Sequence, residues 1–434
     1  MIIGYSNGFH DAGMAVIKGR DIIYAGHSER YSRIKNDRYH SDLMPKFKGK
    51  TVFYEDPFWK NTRRLYAGQK WKSREKYDFY EWHHWSHAAA SYYTRPFDVE
   101  PVCVVIDAIG EWDTASIWYK KKKKWSLKYP KSLGLFYTAA TVAAGLKPLE
   151  EEYILMGMAA FGQPNHKYDP YKNYHKGGFF GGSKEDIAAS AQSILEEEIV
   201  KIMKRARKYS GYLCYGGGVA LNCKANSIVH SMFDGMWIMP NPGDAGSSLG
   251  AAASYQDKRL KWIDPYLGYN IERKINAKKV VDHLLSNYYC GIANGRAEFG
   301  PRALGNRSLI ADPRRDIKDT VNQIKRRERF RPFAPAILEE YADKYFTGPK
   351  NEYMSYVAKA NHDFHSVTHY DGTARVQVVK KDCRSILRTI MEEFYERTSC
   401  PMLLNTSLNI KGQPIVNTWE HAKEFEREYN VKVF

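Results

Sequence analysis

Three times along this chain an unbroken apolar run stops at an acid or a glycine, and a helix-like stretch follows. "VCVVIDAIG" ends its run at Asp107, "GYLCYGGGVALN" turns through three glycines, and "GMWIMPNPGDAG" closes on Asp244. Apolar runs without alternation are the mark of strands buried on both faces, and such strands need helices on both sides of their sheet. The pattern predicts a layered α/β fold whose working side chains sit where the strands end.

Four hundred and thirty-four residues leave room for two or three domains and a large core. No run approaches the ~18 to 20 apolar residues of a membrane span, so no membrane partner is expected. The opening "MIIGYSNGFHDAGMAVI" lacks the basic segment and cleavage site of an export signal. Six scattered cysteines without a CxxC fit a cytoplasmic protein with neither a disulfide framework nor a zinc knuckle. A formal charge of +17 is the unusual quantity, and it points to anionic substrates or a polyanionic partner. Part of it lies in "WYKKKKKWSLKYP", read either as a solvated hairpin tip or as a recognition element.

No internal repeat is visible. The opening reads as three strands, "MIIGYS", "AGMAVIKG" and "DIIYAGHSERYSR", the way actin- and sugar-kinase-type ATP domains begin. Residues 41 to 80 are polar and aromatic with weak periodicity, an expected irregular excursion. An amphipathic helix is predicted over residues 184 to 208. Periodicity lapses near residues 263 to 272, which places a domain boundary there, and the remainder reads as a separate α/β or α+β unit.

"HHWSHAAASYY" puts His83 and His87 on one helical face, beside His84. With Asp107 and Asp244 they form a two-histidine, two-aspartate metal set, for which iron(II), manganese and zinc are equally suited. Ordinary core histidines at a helix end are the competing reading. "YGGGVALN" brings backbone N–H groups toward a phosphate or is simply a tight turn. The densest chemistry is "NGRAEFGPRALGNRSLIADPR" with "NQIKRRERFRPFAPAIL". Its Arg296, Arg302, Arg307, Arg314, Lys325, Arg327 and Arg331 are set among glycine, proline and apolar residues, as side chains aimed at an anion would be. "LLNTSLN" adds Asn405, Ser407 and Asn409 at a strand end, suited to an amide-like or acyl phosphate group.

Taken in order, "HDAGMAVI", "SERYSRIK", "HHWSHAAASYY", "IDAIGEWDT", "LGLFYTAAT", "LMGMAAFG", "GGVALNCKAN", "PNPGDAGSSLGAA", "EFGPRALGNRSLIADPR", "KRRERFRPFAPAIL", "DGTARVQ" and "LLNTSLNIKGQPIV" resemble the nodulation-protein-U, cephamycin and tobramycin O-carbamoyltransferases. The resemblance implies an N-terminal actin/sugar-kinase-like ATPase-type domain, similar to threonylcarbamoyl transferases, over residues 1–262. It implies a C-terminal YrdC-like α/β domain over residues 273–434. The second would make carbamoyl-adenylate from carbamoyl phosphate and ATP; the first would pass the carbamoyl group to a hydroxyl. Position by position, the implied metal ligands are His83, His87, Asp107 and Asp244, for Fe2+ or another divalent transition metal, with Mg2+ accompanying ATP. Nucleotide contacts fall on Gly217, Gly218 and Asn222. The carbamoyl phosphate and ATP site falls on Arg302, Lys325, Arg331, Arg375, Asn405 and Ser407, and His10 becomes the transfer residue.

This chain is shorter than typical members, and the stretch after "AAFG" is compressed, which bears on the acceptor. A duplex carries roughly one charge per 1.7 Å. The excess of Lys and Arg therefore favours DNA, whose 5-hydroxymethylcytosine offers a primary alcohol that base flipping would expose. Viral genomes carry such bases, which would set the enzyme in a bacterial host. A small sugar or antibiotic-like acceptor, a tRNA threonylcarbamoyl transferase and a non-catalytic basic nucleic-acid-binding protein are the alternatives.

Overall fold

The computed structural model describes residues 1–72 and 76–434. The chain is a mixed α/β protein that divides into two compact units. The first holds Met1–Ala25, Arg38–His40 and Met44–Ile263; the second holds Gly26–Asp37, Ser41–Leu43 and Asp264–Phe434. Among the described residues no helix is long and apolar enough to cross a membrane.

The first unit is built on one plan used twice. Strands β1 (Ile2–Ser6), β2 (Gly13–Lys18), β3 (Asp21–His27), β4 (Lys50–Phe53) and β5 (Phe79–Tyr80) lie in the order β3-β2-β1-β4-β5. Strands β6 (Val102–Ile106), β7 (Asp113–Tyr119), β8 (Lys122–Lys128), β9 (Tyr212–Gly216) and β10 (Gly235–Ile238) lie in the order β10-β9-β6-β7-β8. Counted from its own first strand, each sheet reads 3-2-1-4-5. In each, the first strand pairs antiparallel with the second and parallel with the fourth. The internal repeat that the sequence does not display is therefore present in the topology, because "IIGYS" and "VCVVI" share a place in the strand order rather than residues.

The excursion expected over residues 41 to 80 is partly regular. It contains β4, β5 and a helix, Pro57–Tyr66, whose start is fixed by Asp56: the carboxylate accepts from Phe58 N and Trp59 N, and proline takes the first turn. The helix His83–Thr94 is buried along its whole length and packs against the helix Asp244–Gln256. These helices touch backbone to backbone. A methyl group on Gly250 would stand 1.7 Å from the Ser86 carbonyl oxygen, and one on Gly4 of β1 would stand 1.8 Å from that of Ser248. The small residues of "SHAAAS" and "GSSLGAAAS" are what permit this approach.

In the second unit, β11 (Tyr266–Ile271) and β13 (Gly295–Glu298) form an antiparallel pair. The stretch where periodicity lapses thus holds a strand. The main sheet comprises β12 (Tyr289–Ala293), β14 (Arg307–Ala311), β15 (Ala334–Leu338), β19 (Gln377–Val379) and β20 (Met402–Ser407), ordered β12-β14-β20-β15-β19. A small sheet joins β16 (Phe346–Thr347), β17 (Ala358–Ala360) and β18 (Thr373–Ala374). Helices Ala277–Asn287 and Ile386–Thr398 pack on each other, and Val280, Leu284, Ile292, Leu309, Ile337, Ile390 and Phe394 fill the core. The early segment "SERYSRIK" belongs to this unit: Arg30 donates to the Gly300 carbonyl at 3.0 Å, and Arg33 to those of Ile415 and Pro414 at 2.7 and 2.9 Å.

Candidate functional site

Doubling one sheet plan places two sets of strand ends in the first unit, and functional side chains gather there. Asp107 follows β6, Asp244 opens the helix after β10, and His83 and His87 occupy the first turns of their helix. All four are buried, and one ligand atom from each falls within 4.8 Å of the other three. His87 Nε2 lies 3.0 Å from Asp107 Oδ2 and 3.2 Å from Asp244 Oδ1; His83 Nε2 lies 3.1 and 3.6 Å from the same two oxygens.

The surroundings orient these groups. His87 Nδ1 donates to the Pro242 carbonyl at 2.9 Å, which turns Nε2 inward toward the two aspartates. His83 Nδ1 stands 3.8 Å from a carboxylate oxygen of Glu55, which is itself paired with Lys60 at 2.5 Å. Glu111 accepts from the backbone N–H groups of His83 and Asp56, each at 2.8 Å. Asp107 Oδ1 accepts from Ala108 N at 2.8 Å and Gly218 N at 3.2 Å, which turns Oδ2 toward the histidines.

Burial alone would lower the imidazole pKa values. The Asp107 hydrogen bond, the charge of Asp244 and the Glu55 carboxylate outweigh it and hold His83 well above the usual range. His87 is raised against burial by its hydrogen bonds to the two aspartates. Asp107 is held well below the usual carboxylate range, burial being overcome by hydrogen bonds from both histidines. Two carboxylates buried together require positive charge at their centre. Protons on the imidazoles supply it here, and a divalent cation would supply it with the same four donor atoms, so the residues fit a metal. His84 stands apart from the set. Its Nδ1 meets Ser116 Oγ at 2.8 Å, and burial followed by the neighbouring His83 lowers its pKa to about 3.

His10 lies beside the cluster, with Nε2 3.8 Å from Asp244 Oδ2 and Nδ1 3.3 Å from Asp11 Oδ2. Burial opposes its charge, but the Asp11 hydrogen bond and the Asp244 charge raise its pKa to about 9. Gly217 has φ +90° and no room for a side chain, since a Cβ would stand 2.3 Å from the Ile106 carbonyl oxygen. The loop therefore lies directly on the end of β6 and delivers the Gly218 N–H to Asp107. Asn222 caps the helix Cys223–His230, accepting from Ala225 N, and exchanges hydrogen bonds with Gln192. Its side chain is thus engaged within the fold.

In the second unit the arginine block divides. Arg307 is 0% exposed and donates to five carbonyls, those of Asn417, Asn294, Gly295, Asn306 and Tyr269, at 2.8 to 3.2 Å. Arg314 forks onto Asp312, Arg296 bonds the Leu267 and Gly268 carbonyls, and Arg327 bonds Asn322 and Pro332 while stacking on Phe333. These four serve the protein's own polar groups, a correction to the reading of the whole block as aimed at an anion. Arg302, Arg331 and Arg375 are half-buried, with Arg331 3.2 Å from Glu328. Lys325 Nζ bonds the Ser407 carbonyl and reaches the Asn409 carbonyl at 2.8 Å and Ser407 Oγ at 3.3 Å. Burial, then Arg327 and Arg331, push its ammonium well below the usual lysine range.

The loop "GPRALG" is tied down on three sides. Glu298 accepts from Leu304 N, Asn306 N and Arg307 N at 2.8 to 3.2 Å; Gln377 donates to the Leu304 carbonyl at 2.9 Å; Asn405 donates to the Ala303 carbonyl at 3.2 Å and to Gln377 at 2.6 Å. Arg302 is thereby carried on a fixed backbone. Asn405 Oδ1 is buried and has no hydrogen-bond partner among the described residues. Sequence reasoning missed Glu55, Glu111, Glu298 and Gln377. Only Glu55 had a usable signal, because "TVFYED" is an apolar strand running into an acid, like "VCVVID".

Residues 281–434 match the family model described as the carbamoyltransferase C-terminus, and residues 46–179 and 170–253 match the carbamoyltransferase N-terminus. An uncharacterised protein of Synechocystis sp. is 29% identical over 573 aligned positions, covering 97% of this chain and 93% of its own. That span exceeds the 434 residues here, so the relative carries segments that this chain lacks. Nodulation protein NolO of Bradyrhizobium diazoefficiens is 32% identical across 67% of this chain and 65% of its own, and nodulation protein U of Sinorhizobium fredii is 33% identical across 57% and 49%. Among solved structures, an activator of 2-hydroxyisocaproyl-CoA dehydratase from Clostridium difficile covers 60% of this chain and 98% of its own at 13% identity, with a TM-score of 0.37. A score that low carries no argument, and the fold rests on its own strand order. With N- and C-terminal models matched in sequence order and NolO similar across 67% of this chain, the chain belongs to the carbamoyltransferase family and is an enzyme of that kind.

Proposed function

We propose that the chain is an ATP-dependent O-carbamoyltransferase with two reaction centres, the first unit actin/sugar-kinase-like and the second YrdC-like. The observation that carries this reading is the match to both family models in a chain whose first unit gathers His83, His87, Asp107 and Asp244 within 4.8 Å. In the second unit, carbamoyl phosphate, ATP and water give carbamoyl-adenylate, phosphate and pyrophosphate. Arg302, Lys325, Arg331 and Arg375 neutralise two phosphorylated substrates that would otherwise repel, while Asn405 and Ser407 hold the carbamoyl amide. In the first unit the acceptor hydroxyl attacks the carbamoyl carbon and AMP departs. His10 polarises the acceptor or the carbamoyl carbonyl, and Gly217, Gly218 and Asn222 border the nucleotide. The His/Asp set would hold Fe2+ or another divalent transition metal, which supplies Lewis-acid binding of the nucleotide, and Mg2+ would accompany ATP.

The acceptor we infer is 5-hydroxymethylcytosine in DNA. The net charge of +17 supports it, as do five consecutive exposed lysines, Lys120 to Lys124. Incubation with labelled carbamoyl phosphate, ATP and hydroxymethylated DNA tests both levels. Pyrophosphate release and a carbamoyl adduct on the base, falling steeply as salt rises, are expected. Absence of pyrophosphate and of carbamoyl-adenylate would remove the enzymatic scheme; carbamoylation of a small sugar alcohol without a base adduct would remove DNA as acceptor.

A further inference from the structure

A concave site in the first unit is lined by none of the four residues of the metal set. It is a pocket of about 560 Å³ walled by Trp82, Trp85, Tyr93 and Trp118, with Lys121, Lys123, Ser254 and Asp257 at its edge. Ser254 stands ten residues beyond Asp244 on one helix, about 15 Å along its axis. Nothing in the reaction scheme uses this place.

Its chemistry is specific. The Trp85 and Trp118 rings lie 5.0 Å apart, and their indole N–H groups are already spent on Ser254 Oγ and Ser116 Oγ, each at 2.8 Å. What remains for a ligand is aromatic surface, chiefly from Trp82, which is 45% exposed. Cations hang over the aromatic walls: Lys121 Nζ is 5.8 Å from the Tyr93 ring centre and Lys123 Nζ 5.5 Å from that of Trp118. Lys121 pairs with Asp257, both solvent-exposed, where such pairs are weak and exchange readily, while Lys123 pairs with the buried Asp113.

The turn itself is unusual. Lys120 and Lys121 form the two-residue connection between β7 and β8 at φ +51° and +60°, positions that ordinarily favour asparagine and glycine. The fold accepts left-handed lysines there and so crowds positive charge onto the rim, with Lys122 and Lys124 exposed beside them. A cationic ligand would meet these ammonium groups, and a plain polyol would leave the aromatic walls poorly used. A flat ring joined to an anionic linkage satisfies both features.

We propose that this pocket is an accessory nucleic-acid site: one unpaired base stacks against the Trp82 wall while flanking phosphates meet Lys121, Lys123 and the lysines of the turn. The inference rests on the nucleic-acid reading of the acceptor and adds a place where the strand is gripped outside the reaction centre. The probe is a fluorescent all-thymidine oligonucleotide about a dozen residues long, titrated onto the whole protein at two salt concentrations. Trp82→Ala and, separately, a Lys120→Glu/Lys121→Glu variant should each weaken binding about tenfold, and the lysine variant should flatten the salt slope by about one to two. The exposed lysine pair can be changed without touching the core, and metal content measured on the same samples should stay at the wild-type level. Wild-type binding that neither variant weakens, or no wild-type binding, overturns the pocket. Displacement by an equal concentration of thymidine monophosphate overturns the nucleic-acid occupant in favour of a free nucleotide. Because the probe has no hydroxymethyl base, a failed adduct assay with tenfold losses here would end the acceptor reading and leave the pocket standing.

Discussion

The histidine–aspartate cluster and the arginine block both concentrate charge, on opposite plans. The cluster takes four side chains from three separate stretches of chain, and every one turns its ligand atom inward. The block takes many charges from one stretch and spends most of them on the protein's own carbonyls and carboxylates. Density of charge along a sequence therefore says little about where a ligand binds; convergence of charge from distant strand ends says more.

The largest effect that would sharpen this contrast is expected at Arg307. Arg307→Ala leaves five carbonyls, two of them fully buried, without this donor, and the second unit should lose ~4 kcal/mol or more, read as a shifted denaturant midpoint. If stability changes little while adenylate formation vanishes, Arg307 faces a ligand after all and the division of the block is wrong. Arg302→Ala should do the reverse: stability within ~1 kcal/mol of wild type, but pyrophosphate release down about a hundredfold or more, with metal content unchanged. Equal loss of metal and of adenylate formation would show that the two centres are not separate.

Glu55→Gln comes next. Removing the charge that faces His83 Nδ1 should weaken metal affinity about tenfold to a hundredfold, measured by competition with a chelator. Unchanged affinity would leave the cluster ordered by Pro242 and Glu111 alone. The smallest effect concerns pH. Burial depresses the Lys325 pKa, so its charge is present below that depressed value and is lost as pH rises through it, sooner than for an ordinary lysine. The KM for carbamoyl phosphate should accordingly climb severalfold on the alkaline side, and Lys325→Arg should remove that limb. A limb unchanged in the arginine variant would assign it elsewhere.

How much of this was legible depended on locality. His83 and His87 follow from helical spacing, and Asp107 and Asp244 from apolar runs ending in acids, signals that sit within a few residues. Glu55 carries the same signal, yet it was hidden because the polar, aromatic residues around it read as an excursion, and the Asp56–Pro57 helix start went unrecognised. The doubled sheet was illegible because a strand order is set by pairing across long gaps, while "IIGYS" and "VCVVI" share no residues in register. Arg307 was illegible for another reason. A guanidinium fork fits a phosphate and a ring of peptide carbonyls equally well, and only the folded backbone decides which one it meets.

The contact of the two helices through Gly250 and Ser86 has a consequence for any cation the four residues would hold. Side-chain spacers at a helix interface can rotate, and a site built across them breathes. Here the jaws are peptide groups in direct contact, so the gap between the imidazoles and Asp244 works like a fixed calliper. A cation held there would be selected by radius as well as by donor type, and that setting is cast when the backbone closes.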